Sequence, residues 1–112
     1  MKIAIPTANG LLAMHFGHCE TFTLISVDTD KKTIASEESA TAPPHEPGVL
    51  PRWLAEQGVD LVIAGGMGNR AQELFSAQGI EVITGAPAKK PADLVQNYLQ
   101  GELKSGANLC DH

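Results

Sequence analysis

Seven consecutive residues, Met14-His15-Phe16-Gly17-His18-Cys19-Glu20, put two imidazoles and a thiol within five positions. Gly17 between them lets the backbone bend. Sulfur and imidazole donors suit zinc, iron, copper or metal–sulfur clusters better than magnesium or calcium. The spacing is not that of a standard zinc or ferredoxin motif, so taken alone the stretch also fits a turn with scattered polar side chains. His45 lies among prolines in Thr41-Ala42-Pro43-Pro44-His45-Glu46-Pro47-Gly48, where it is either a donor or a solvated loop residue. Cys110-Asp111-His112 offers a two-ligand clip or a free tail. The candidate metal ligands are therefore His15, His18, Cys19, His45, Cys110 and His112. Cys19 has two other readings, an inert thiol or a nucleophile activated by a nearby histidine.

A second candidate is Gly65-Gly66-Met67-Gly68-Asn69-Arg70, between a strand pattern and a helix pattern. Backbone amides at a helix N-terminus attract anions, and glycines let a ligand approach closely. Gly66, Gly68 and Ala71 match a dinucleotide-binding spacing, but Ile83-Thr84-Gly85 closes the next strand with no acidic residue. No lysine follows the glycines, so it is not a P-loop. A tight turn that needs small residues is the competing reading. Arg70 could neutralise an anionic ligand or stay solvated.

The elements that must position these groups follow from periodicity. Lys2 to Pro6 and Thr21 to Val27 read as strands, rich in β-branched and apolar residues. Asp28 to Lys31 turns the chain into a more polar return arm, Lys32 to Ser36, suited to an edge. Residues 41–48 are too rich in proline for regular structure. Val49, Leu50, Trp53 and Leu54 recur at helical spacing, with Gly58 as the stop. Val59 to Ala64 reads as a strand covered on both faces. A second helix runs from Asn69, as N-cap, to Gln78, before another buried strand at Ile80 to Thr84. Pro91 opens a third helix carrying Leu94, Val95, Tyr98 and Leu99. Trp53, Leu54, Leu74, Phe75, Tyr98 and Leu99 are assigned to the core by spacing.

The order β-β-β-α-β-α-β-α requires an antiparallel N-terminal hairpin and parallel strands with right-handed crossovers. The expected fold class is α/β: a mixed five-stranded sheet, strand order 3-2-1-4-5, with helices on both faces. A single domain, 1–112, is expected, with its core in 1–101 and a tail from 102 to 112. If strand 1 neighbours strand 4, the loops carrying His15, His18, Cys19, His45 and Met67 all open at the carboxyl edge of the sheet, where such folds bind ligands. The tail, spanning roughly 35 Å when extended, could reach that edge too.

The formal charge of −5 and the lack of a basic cluster disfavour nucleic acid. No apolar run is long enough to span a membrane, and the N-terminus lacks a signal-peptide pattern. A cytoplasmic location is expected, where a disulfide between Cys19 and Cys110 is disfavoured.

His15-Phe16-Gly17-His18-Cys19 before a strand, Gly48 opening a helix, and Leu61-Val62-Ile63-Ala64-Gly65-Gly66-Met67-Gly68 followed by Gly79-Ile80-Glu81-Val82 resemble the dinitrogenase iron–molybdenum cofactor biosynthesis family. The likeness covers roughly residues 1–100. It implies a ribonuclease H-like three-layer α/β/α fold and a non-catalytic role in binding or carrying a metal–sulfur cluster. An iron–molybdenum cofactor precursor or a related Fe–S or molybdenum-containing cluster would be the cargo, and cluster donor and acceptor proteins the partners. The chain itself would be a monomer or weak homodimer. Two other readings stay open: a mononuclear metal or anion sensor using His15, Cys19 and the Cys110–His112 tail, and an enzyme with Cys19 as nucleophile.

Overall fold

The computed structural model describes residues 1–13, 21–43 and 48–103. Its elements are β1 (Lys2–Ala8), β2 (Leu11–Leu12), β3 (Thr21–Asp28), β4 (Thr33–Thr41), α1 (Val49–Glu56), β5 (Leu61–Ile63), α2 (Asn69–Ala77), β6 (Glu81–Ile83) and α3 (Pro91–Leu99). They form one mixed sheet ordered β4-β3-β1-β5-β6, with β2 paired to β1 off this path.

The sheet has six strands, not five. The extra one comes from Asn9-Gly10, at φ 55° and 79°. Two successive positive φ angles make the two-residue turn whose twist suits a hairpin, and Asn-Gly is the pair that adopts it most easily. It reverses β1 into β2, with Ala8 opposite Leu11. The β3–β4 turn has a different device. The Asp28 carboxylate accepts backbone N–H bonds from Asp30 at 3.0 Å and Lys31 at 3.1 Å.

β1 is antiparallel to β3 and parallel to β5. Its central residues Ile3, Ala4 and Ile5 are fully buried, as a strand flanked on both sides must be. Side chains alternate between two apolar layers. Ala4, Phe22, Leu24, Val62 and Ala64 pack with Leu50, Leu54 and Phe75 of α1 and α2. Ile3, Ile5, Ile25, Val27, Leu61 and Ile63 pack with Leu94, Val95 and Leu99 of α3. Two helices therefore cover one face and one covers the other.

Several sequence expectations change in detail. β4 runs on to Thr41 rather than stopping at Ser36, because β3 supplies a partner along its whole length. β5 and β6 are shorter than their apolar runs. The N-cap of α2 is Gly68, in extended conformation, and Asn69 is the first helical residue. Leu54, Phe75 and Leu99 are buried as assigned, while Trp53, Leu74 and Tyr98 are only half-buried. Trp53 still meets Phe22 edge-on, ring centroids 5.7 Å apart.

Phe22 is fully buried between β1, β4 and α1 and holds that ring contact. Phe22→Ala is expected to destabilise the fold by about 3–5 kcal/mol in urea denaturation, because it removes the buried ring and leaves a cavity.

Candidate functional site

One row of cross-strand neighbours marks the carboxyl edge of the sheet. Thr7 of β1 stands opposite Thr21 of β3, which stands opposite Thr41 of β4. The Thr7 and Thr21 hydroxyls lie 2.9 Å apart, and each also lies 3.3 Å from the other residue's carbonyl. Thr7 is one of the few buried polar side chains, satisfied by its cross-strand partner. On the parallel side, β5 and β6 end at the same edge, in register through Ile63 and Ile83. Their pairing continues outward: Ala64 N–H bonds to Ile83 O at 2.8 Å, Gly85 N–H to Gly65 O at 2.8 Å and Ala86 N–H to Ala64 O at 3.2 Å. Gly85, at φ 81°, makes the bend this requires. Leu12 N–H bonds to Lys89 O at 3.0 Å, tying β2 to the lead-in of α3.

All three helices begin at this edge and run away from it. Their N-cap residues, Gly48, Gly68 and Lys90, make no side-chain capping bond, and among the described residues α1 and α2 have no acid in the first turn. Their N-terminal amides and dipoles thus present positive potential toward the mouth between the strand ends. Gly68 lies at φ −64°, which any residue can adopt, so the backbone does not require glycine there. Gly65 and Gly66 are buried and are not among the glycines at positive φ. The Gln72 side chain donates to Met67 O at 2.9 Å and steadies the turn, a role its polar helical position did not signal.

Met67 is 1% exposed and belongs to the core layer under α1 and α2, with Ala13, Phe22 and Phe75. Its thioether is a packing group, so the mouth receives from this motif its glycines and the exposed Asn69 and Arg70. His15, His18 and Cys19 lie outside the described residues, as do His45, Cys110 and His112. Their anchors are described. Residues 14–20 connect Ala13 to Thr21, and 44–47 connect Pro43 to Gly48. All four anchors stand at the carboxyl edge, with Ala13 N–H bonded to Pro6 O at 2.8 Å. The segment 104–112 instead follows Leu103, which packs at the C-terminal end of α3, the opposite side of the sheet. Among the described residues no group of three or more His, Cys, Asp or Glu could hold a metal ion, and no helix is long and apolar enough to cross a membrane.

The sequence reading missed the threonine clasp, although both residues were visible at strand ends. Only the register pairs them. In a cycle of Thr7→Val, Thr21→Val and the double variant, urea denaturation is expected to give a coupling of roughly 0.2–1 kcal/mol. A value of zero would show the hydroxyl contact to be energetically idle.

Comparison with known proteins agrees with this architecture. Residues 1–101 match the dinitrogenase iron–molybdenum cofactor family. An uncharacterized protein of Methanocaldococcus jannaschii, MJ0580, is 31% identical over 107 residues, spanning 93% of this chain and 90% of that one. The crystal structure of PH0822 is similar with a TM-score of 0.85 at 29% identity, covering 94% of each chain. The mj0327 protein of Methanocaldococcus jannaschii, a crystal structure at 18% identity and TM-score 0.76 over 96% of each chain, shares the fold.

Proposed function

We propose that this chain, which belongs to the dinitrogenase iron–molybdenum cofactor family, carries an anionic metal–sulfur cluster in the mouth at the carboxyl edge of its sheet. The observation that supports this most is the convergence there of three helix N-termini without side-chain caps, the Gly65–Gly68 turn and the anchors of both histidine-bearing segments. Amides and helix dipoles balance negative charge on the cargo without bonding to its metals. Cys19, as thiolate, and His15, His18 and His45 are the donors that would hold the metal side, since soft sulfur and imidazole match such clusters. A carrier needs few protein bonds, because delivery requires release. The role is binding and transfer in the cytoplasm between a cluster donor and an acceptor, with no catalysed reaction.

The mononuclear alternative needs Cys110 and His112 beside His15 and Cys19. From the anchor at Leu103, on the opposite side of the sheet, residues 104–112 would have to run almost fully extended to bring both donors to the mouth, which favours the cluster reading over it.

Anaerobic loading with tetrathiomolybdate and ferrous iron, followed by metal analysis and absorption spectra, tests the proposal. Cys19→Ala combined with His15→Ala and His45→Ala is expected to lower bound metal at least about tenfold. Deletion of residues 104–112 is expected to leave loading nearly unchanged. Full loading of the triple variant would end the cluster reading, and loss of loading on tail deletion would install the mononuclear one.

A further inference from the structure

Four exposed cations stand around the lip of the mouth. Arg52 and Arg70, near the starts of α1 and α2, flank it from one face of the sheet. Lys89 and Lys90, just before α3, flank it from the other. All four side chains are exposed, and among the described residues none forms an ion pair. The acids at the far end of the sheet are Asp28, Asp30, Glu56, Asp60, Glu81 and Glu102, mixed with Lys2, Lys31 and Lys32. Four of the seven described Lys and Arg side chains thus stand at one end of a chain whose formal charge is −5, apart from most of the described acids.

Lys89 and Lys90 also head a groove of about 530 Å³ on the flank of α3, lined by Lys89, Lys90, Asp93, Gln96, Asn97 and Gln100. The lysine backbone is held in place. Lys89 N–H bonds to Pro87 O at 2.8 Å, Lys89 O accepts from Leu12, and Pro91 follows Lys90 at the first helical positions. The groove leads from the lip down the outside of the helix, farther than a cluster seated between strand ends would extend. Its chemistry is graded: two ammonium groups at the lip, one carboxylate a turn below, then three amides. A nucleic-acid backbone repeats its negative charge at every step and would meet Asp93 with a phosphate. A peptide can place its carboxylates at the lip and neutral side chains along the amides.

We infer that this lip and groove form the docking surface for a protein partner that presents an acidic segment, seated along α3 with its carboxylates at Lys89 and Lys90. The inference rests on the carrier reading for the reason a partner comes to this mouth, but the surface is testable without metal. The remainder of the acidic chain repels such a partner, so the cationic lip sets the orientation of approach and its sensitivity to salt.

The test uses the full chain and a labelled peptide with two glutamates and then neutral glutamine and serine residues, followed by fluorescence anisotropy at low and at physiological salt. Binding is expected, weakening as salt rises. The double variant K89E/K90E should weaken it about tenfold or more, and K89Q/K90Q by less, while K31E/K32E, at the far hairpin, should leave it within about twofold. All these side chains are exposed, so thermal melts should be unchanged. No binding of this peptide, equal loss from both glutamate pairs, or tighter binding of a single-stranded oligonucleotide would each overturn the assignment. Normal cluster loading in K89E/K90E separates failure here from failure of the carrier reading.

Discussion

The parallel seam between β1 and β5 is short, two registered pairs, Ile3 with Leu61 and Ala4 with Val62. It joins the antiparallel half of the sheet to the parallel half, and the direction of every later loop follows from it. A clasp at the base reinforces it. Asp60 N–H bonds to Lys2 O at 2.8 Å, Lys2 N–H bonds to the Asp60 carboxylate at 3.0 Å, and the Lys2 ammonium reaches Gln57 O at 2.7 Å, at the C-terminal end of α1. With β1 and β5 pointing the same way, β3 starts and β4 ends at the edge where β1, β5 and β6 finish.

That edge collects features that are mostly positive, with Asp93 in the first turn of α3 as an exception. Helix starts lack capping side chains, backbone turns are built from glycine, and exposed Arg and Lys side chains surround them. The opposite end holds helix C-termini and most of the described acids. Each contribution is small by itself, since an exposed charge near a helix end acts at the level of a few tenths of a kcal/mol. Their alignment gives the molecule a polarity that a random scatter of the same residues would lack.

Most of the element order was legible in the residues. Period-2 and period-3.6 patterns placed three helices and five strands, because burial of one face dictates them. What escaped had local causes that patterning does not weigh. Asn9-Gly10 is a strong hairpin signal, but the strand it creates is only Leu11–Leu12, too short to show alternation. Asn69 looks like an N-cap by type, yet the chain is still extended at Gly68, so the helix begins with Asn69 itself. Met67 reads as part of a glycine-rich loop that opens at the edge of the sheet. Its side chain is buried in the layer with Phe75, since an apolar chain is better packed there than left at a wet mouth.

By itself the sequence determined which residue types are available and which segments carry them: sulfur and imidazole ahead of β3, glycines ahead of α2, an acidic chain with few cations. Those are covalent facts and local propensities, and they hold in any fold. Tertiary structure alone decided which of them meet. The strand directions put Thr7 against Thr21, the turns at Gly65 and Gly85 in one ladder, and Lys89 at the same lip as Arg70. Residues far apart along the chain become neighbours only through the register of hydrogen-bonded strands, and that register is set by burying both faces of the sheet at once.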